Sequence, residues 1–251
     1  MVVEQRAAKA VMAWVLAASL AEGIETRPAP GAPVDPEGEA VLAAFLSRPD
    51  EPVTRYRARR RMEVAAMGER AWLEVQAELD PGRGFRWTVL SEGGSRMLRE
   101  KSLLRLLRAE AETHASALPS RSALTSENYA LEPEGRDADG LVRLRARPRR
   151  REAALVDGVF AVAPDTADLV RVEGALARAP SFWVKHVEVS RHYARVRGHR
   201  VVVRMESVAQ IRFVGPSHLM VTYDYEMIDG QTMTPSSVLA AVVPPTPPFG
   251  P

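Results

Sequence analysis

The amino-acid sequence predicts a mainly β protein, in which a single curled antiparallel sheet of about eleven strands is lidded by one long and one short helix. Apolar and polar residues alternate with period two over most of the chain. Gly, Pro and Asp interrupt this alternation at short intervals, which is typical of β-hairpins, and two segments show helical spacing instead. An open sheet of that size curls, so its apolar face has to be covered by the helices, by a ligand, or by both.

Composition places the chain among globular proteins and excludes several classes of function. The 251 residues include 46% hydrophobic and 26% charged residues, with a formal net charge of +2. So small a net charge does not by itself indicate a nucleic-acid partner. The absence of cysteine excludes disulfides, a thiol nucleophile and a cysteine-ligated metal.

The N-terminus is interpreted as a secretory signal peptide spanning residues 1–21. Arg6 and Lys9 precede the apolar run AVMAWVLAASLA, which ends on the small-x-small pattern Ser19-Leu20-Ala21. The run is too short to cross a bilayer as a helix. We therefore expect a periplasmic or extracellular protein. The alternative is an ordinary amphipathic first helix of a cytosolic domain, which Glu4 slightly favours.

The chain is then predicted to divide into three further parts. Residues 22–34 are rich in Pro, Gly and Glu and are expected to form a disordered linker, and residues 231–251 a Pro-rich disordered tail. The β domain is expected over residues 35–230. It opens with Asp35-Pro36, an N-cap followed by proline in the first helical turn, so the short helix should begin there and end before Pro49.

The first three strands and the long helix follow in order. From Val53 the period is two, with turns at Gly68 and at Asp80-Pro81-Gly82, which predicts a three-stranded meander. Ser95 to Leu118 is the long helix. Its apolar stripe is expected to lie on the inner face of the sheet and comprises Leu104, Leu107, Ala111 and Leu118.

Eight further strands are predicted beyond Pro119. The dipeptide Asp157-Gly158 is read as the turn of a type I′ hairpin. The expected strands are 127–133, 141–147, 152–156, 159–163, 168–178, 182–197, 200–214 and 219–228.

Two stretches of this pattern resemble the LolA/LolB-like family of periplasmic lipoprotein carriers. PRRREAALVDGVFAVAPDTADLVRVEG (residues 148–174) is similar to the middle hairpins of that family, and residues 193–229 to its closing strands, with a turn glycine at Gly198 and a final Tyr-x-Tyr strand. The chain departs from the family in its proline-rich tail and in Val202, where related sequences often have proline.

The resemblance implies a half-barrel whose apolar face binds the acyl chain of a lipid or lipoprotein. It also implies a monomer with no enzymatic activity and no cofactor. A membrane-bound protein partner is the alternative, because other members of the family act as envelope sensors through their exposed faces.

Arg60 is the first candidate site residue. Strict alternation assigns it to the same face as Tyr56 and Met62, although Arg59 and Arg61 belong to the other face. An inward arginine needs acceptors, which a ligand or the long helix would supply. The alternatives are a bulge that turns the side chain outward, or a stem that packs while its head reaches water.

The remaining candidate ligand-binding residues are aromatic. Alternation assigns them to inner faces, where they would suit an acyl chain or simply pack the core. They are Phe85, Trp87, Tyr223 and Tyr225, beside Tyr56 and Met62.

Other chemistries find little support in the sequence. The arginine runs at residues 55–61 and 143–151 alternate with glutamates and lack exposed aromatic residues, which favours a solvated face with ion pairs over nucleic-acid binding. His186 and His192 match no metal-binding spacing. No nucleophile elbow or phosphate loop is present, and we expect no catalytic residue and no metal.

Overall fold

The computed structural model describes residues 35–48, 52–115 and 123–233. Its helical segments are α1 (Pro36–Ser47), α2 (Arg96–Leu98), a π-helical turn (Arg99–Leu103) and α3 (Leu104–Ala115). Its strands are β1 (Tyr56–Ala66), β2 (Glu69–Asp80), β3 (Gly84–Gly94), β4 (Tyr129–Arg136), β5 (Val142–Pro148), β6 (Val156–Val162), β7 (Leu169–Leu176), β8 (Val184–Val196), β9 (His199–Ile211), β10 (Gly215–Ile228) and β11 (Gln231–Thr232).

All the described strands belong to one antiparallel sheet. The order is β3-β2-β1-β10-β9-β8-β7-β6-β5-β4, and β11 pairs with the end of β10. Strand β1 pairs with β10, whereas the other neighbours along this path are consecutive in sequence. The sheet is open between β3 and β4, and the segment that connects these two edges contains the helix from 96 to 115. The predicted fold class, a curled half-barrel sheet lidded by two helices, is confirmed.

Each helix covers its own apolar cluster on the inner face of the sheet. The first cluster joins β1, β2, β3 and β10 to the 96–115 helix, and the second joins β4 to β7 to α1. Strands β8 and β9 run through both clusters. The inner face is therefore divided into two apolar regions, with β8 and β9 shared between them.

Helix α1 begins as its sequence predicts. The Asp35 side chain accepts a hydrogen bond from the backbone N–H of Gly38 at 3.0 Å, and Pro36 stands in the first turn. Val41 and Phe45, one turn apart, are buried in the second cluster. This short helix therefore covers the end of the sheet that the long helix does not reach.

The long helix differs from its prediction by the π-helical turn. A π turn contains one more residue than an α turn. Before the turn, the positions that face the sheet are therefore shifted by one residue from the α-helical spacing that the sequence predicts. The fully buried stripe is Leu98, Leu103 and Leu107, whereas the predicted Leu104 and Ala111 pack beside it and are only partly buried. Leu118 lies outside the described residues.

The predicted hairpin at Asp157-Gly158 is wrong, because a single strand, β6, runs through both residues. Gly158 stands opposite Gly174 of β7. A Cβ atom at Gly158 would come within 1.9 Å of the carbonyl oxygen of Glu173. Glycine is required here because the backbones of β6 and β7 approach closely, and not because the chain turns.

The strand arginines of the two runs, other than Arg60, lie on the outer face of the sheet, and their ion pairs with glutamates confirm the predicted solvated face. Arg59 and Glu74 pair across β1 and β2 at 3.5 Å, and Arg147 and Glu132 pair across β5 and β4 at 2.6 Å. These side chains are partly or largely exposed, so each pair contributes little to stability.

The predicted signal peptide and linker lie outside the described residues. The predicted tail (231–251) also lies outside them from residue 234 onward, whereas its first two residues form β11. None of the described helices combines the length and the apolarity that are needed to span a membrane.

Candidate functional site

The candidate site lies where β1 passes beneath α3, and Arg60 is at its centre. Arg60 stands opposite Val75 of β2 and Tyr223 of β10, and the inward positions of β1 on either side of it are buried. Its own exposed fraction is 3%. The strand therefore carries the guanidinium into the first apolar cluster, as strict alternation predicts.

Glu110 of α3 supplies the anion for this buried cation. Arg60 Nη1 donates to Glu110 Oε2 at 2.7 Å, and Arg60 Nη2 donates to Oε1 at 2.9 Å. Arg60 Nη2 also donates to the Tyr56 hydroxyl. The parallel pair of hydrogen bonds is the strongest geometry available to arginine and a carboxylate. It joins the sheet to the helix through a charged contact within an apolar surface.

Aromatic rings enclose the rest of the guanidinium. Its central carbon lies 4.7 Å from the ring centroid of Tyr223, 5.0 Å from that of Phe85 and 5.6 Å from that of Tyr56. A cation over such rings is attracted by their negative faces, more strongly where water is excluded. Arg60 Nε is buried and has no hydrogen-bond partner among the described residues.

The surroundings keep Arg60 charged. Burial alone would lower the pKa of Arg60, but Glu110 and the neighbouring hydroxyls of Tyr56 and Tyr223 raise it well above its ordinary value. Burial raises the pKa of Tyr56, Tyr223 and Tyr225, and the charge of Arg60 opposes that rise at each. The site therefore contains one permanent cation, one carboxylate and neutral phenols.

All seven predicted ligand-binding residues lie in this one cluster. Met62, Phe85 and Tyr225 are buried, whereas Trp87 and Tyr223 are only partly buried. Phe85 and Trp87 stack with ring centroids 6.0 Å apart, and Tyr223 and Tyr225 stack at 6.2 Å. The structure thus brings the predicted residues together, and their contact with a ligand stays a prediction.

Two helix residues of the site were missed by sequence analysis. Glu110 and His114 are one helical turn apart, and the His114 ring stacks on Phe85 with centroids 5.8 Å apart. His114 Nε2 lies 3.9 Å from Glu110 Oε1. The available signal was their helical spacing from Leu107, which places both residues on the flank of the buried stripe.

A second feature that the sequence did not indicate is an exposed aromatic cluster at one end of the sheet. Phe182 precedes β8 with an exposed fraction of 72%, and Phe213 lies in the β9–β10 turn with an exposed fraction of 90%. Trp183 lies between them, 5.5 Å from Phe182 and 6.3 Å from Phe213 by ring centroids. Arg212 stacks over Phe182 at 4.7 Å.

The described residues contain no group of three or more His, Asp or Glu side chains arranged to bind a metal ion.

Comparison with known proteins does not identify a family for this chain. No protein-family model matches the chain, and no curated protein matches it significantly. Among solved structures it is similar to a LolA superfamily protein from Nitrosomonas europaea, at 9% identity and a TM-score of 0.36. The alignment covers 78% of this chain and 94% of the other. The fold and the site described above rest on the sheet and its side chains, independently of that similarity.

Proposed function

We propose that the protein is a carrier that binds the acyl chain of a lipid or lipoprotein on the inner face of the sheet, beneath the 96–115 helix. The observation that carries this proposal is the ion pair between Arg60 and Glu110, which joins helix and sheet at the centre of an apolar contact. On this proposal, separation of the pair lets the helix move away and exposes the apolar face to the ligand.

The energetics of buried ion pairs support this role. Taking two charges out of water is costly, and apolar residues of similar volume often give equal or greater stability at such a position. An ion pair instead fixes one arrangement of the two elements and is lost as a unit when they separate. The apolar surface left by Leu103 and Leu107 would then be covered by acyl methylenes, each worth about 0.8 kcal/mol on burial.

The test compares Arg60→Leu with Arg59→Leu, its neighbour on the outer face. Displacement of a fluorescent lipid probe reports ligand binding, and thermal unfolding reports the fold. Arg60→Leu is expected to keep the fold and to change probe affinity or retention, because Glu110 loses its partner. Arg59→Leu is expected to change neither property. Indistinguishable results for the two variants would remove Arg60 from the site.

The second candidate function is an envelope sensor or interaction protein that acts on a membrane-bound partner. The exposed Phe182 and Phe213 favour it, because aromatic side chains beside Arg212 are typical of interfaces. Native mass spectrometry of protein purified from its own host separates the candidates. A co-purifying lipid supports the carrier, and a stoichiometric protein partner with no bound lipid supports the sensor.

We also propose that the protein is exported to the periplasm or the extracellular space. The apolar run that follows Lys9 motivates this proposal. N-terminal sequencing of the mature protein is expected to begin near Glu22. Recovery of the intact Met1 terminus from the cytosol would contradict export.

A further inference from the structure

A polar strip crosses the inner face between the two apolar clusters. Arg191 of β8 stands opposite Met205 of β9 and Val172 of β7, both on the inner face. Ser207, the next inward residue of β9 after Met205, is buried and stands opposite Val189 and Leu219. On β8 and β9, Arg191 and Ser207 therefore separate the inward residues of the second cluster from those of the first.

Arg191 is half-buried and, within the part of the chain that the structure describes, makes no hydrogen bond or ion pair. This distinguishes it from Arg60, the other inward arginine described above, whose charge is matched by Glu110. A cation that is partly withdrawn from water on an apolar face is unfavourable unless an anion pairs with it. The guanidinium donors of Arg191 are thus not paired with any acidic side chain among the described residues.

Three side chains with hydroxyl groups lie on the same strand as Arg191 and on the next two strands: Tyr193 on β8, Ser207 on β9 and Tyr223 on β10. Tyr193 packs against the second cluster and Tyr223 against the first. Burial raises the pKa of Tyr129 and of Tyr223, and the positive charge of Arg191 opposes the rise at both, which shows that Arg191 lies within electrostatic reach of each cluster. The hydroxyls of Tyr193, Tyr223 and Ser207 make no hydrogen bond to any described residue, so each can donate one to a ligand.

We infer that this strip binds the acidic head group of an amphiphile, a carboxylate or a phosphate monoester, while the apolar tail lies on one of the two clusters. Guanidinium is the side-chain group best suited to a carboxylate or phosphate, because it donates two parallel hydrogen bonds. The hydroxyls would complete the donor set. The inference rests on the proposed carrier function and narrows its ligand from acyl chains in general to those with an anionic end.

The test measures displacement of a neutral fluorescent probe by three ligands with the same sixteen-carbon tail: palmitate, hexadecyl phosphate and hexadecan-1-ol. Wild-type protein is expected to bind at least one acid about tenfold or more tightly than the alcohol, the range of a charge-assisted hydrogen bond. Whether palmitate or hexadecyl phosphate shows the larger preference identifies the head group.

The variants are Arg191→Gln and, as a matched control on an exposed loop, Arg151→Gln. Arg191→Gln is expected to abolish the preference for the acid without changing alcohol affinity, and Arg151→Gln to keep it. Tyr193→Phe keeps the ring and removes one donor, so it should reduce the preference about threefold even if Arg191→Gln does not fold.

Two results would overturn the inference: one rejects only the head-group site, and the other also rejects the carrier function. Binding of acids and alcohol with equal affinity, or an acid preference that survives both Arg191→Gln and Tyr193→Phe, rejects the head-group site and leaves the carrier function standing. Failure of all three ligands to displace the probe rejects the carrier function, and the head-group site with it.

Discussion

Replacing Glu110 by alanine removes the anion that pairs with Arg60 while the cation stays buried under the helix. Alanine is a good helix former, so the backbone of α3 should be unaffected. The reverse change, Arg60→Met, removes the cation and leaves a carboxylate whose side chain is already 28% exposed and can turn to water. Glu110→Ala therefore leaves a buried, unpaired cation, whereas Arg60→Met leaves a carboxylate that can reach water.

The magnitudes follow from that difference. An unpaired buried charge costs about 3–5 kcal/mol, so Glu110→Ala should destabilise by about 3 kcal/mol after allowance for the partial exposure of the pair. For a domain of this size that loss lowers Tm by about 6–12 °C. Arg60→Met forfeits the contacts with the three rings but leaves no buried charge, so we expect a loss of only about 1 kcal/mol.

Urea unfolding of the wild type, both single variants and the double variant forms a double-mutant cycle that isolates the pair. The coupling energy is expected to exceed about 1.5 kcal/mol, and the double variant should resemble Arg60→Met rather than the sum of the single changes. A loss for Glu110→Ala that is equal to or smaller than the loss for Arg60→Met would refute the reasoning, because Arg60 would then not depend on Glu110 for its counter-charge.

Three further predictions test the fold. Leu107→Asp should lower the free energy of unfolding by about 3 kcal/mol or more, because it buries a charge between helix and sheet. Arg108→Asp, on the exposed side of the helix, should change it by no more than about 0.5 kcal/mol. Equal Tm values for the two variants would contradict the packing of the helix on the sheet. Gly158→Ala should destabilise the protein by several kcal/mol, because the added Cβ meets the backbone of β7. Gly82→Ala has room for a Cβ and should destabilise it by no more than about 1 kcal/mol. A tolerated Gly158→Ala would restore the hairpin interpretation. Burial alone would raise the pKa of Asp229, but hydrogen bonds from the neighbouring hydroxyl and backbone N–H groups lower it. The stabilisation that Asp229 gives the folded protein is therefore complete above the unfolded pKa of about 3.9, and it is lost as pH falls through the lower folded pKa. Asp229→Asn should therefore flatten the acid limb of stability against pH, and an NMR titration that places this carboxyl at or above about 3.9 would contradict the assignment.

Period-two alternation was sufficient to place Arg60 on the inner face, because β1 is regular from Ala58 to Ala66 and both of its neighbours are long strands. The same pattern could not identify Glu110. That residue lies fifty positions along the chain on a helix, and its approach to Arg60 depends on how the helix packs. Alternation reports the face of a side chain and contains no information about its partner.

The predictions that failed did so where one local pattern is compatible with two structures. Asp-Gly is favoured in tight hairpin turns, but glycine is equally required where two strands approach closely, and only the pairing of Gly158 with Gly174 decides between them. The π-helical turn in the long helix is similar: no residue in Arg99–Leu103 marks it, and it becomes evident only from the burial of Leu98 and Leu103, five residues apart.

Period-two alternation placed Arg60 on the inner face but could not place Arg191. Val187, Val189 and Arg191 alternate inward, but the register of β8 against β9 shifts between His192 and Tyr193, and beyond it Ala194 and Val196 are the buried residues. The period changes phase within one strand, so the sequence does not assign Arg191 to a face. In the structure Arg191 stands between Val189 of the second cluster and Ala194 of the first. One inward arginine is thus paired with the helix, and the other is the residue that we propose binds the head group. Loss of the Arg60–Glu110 pair should therefore change access to the apolar face, whereas loss of Arg191 should change only the choice of head group.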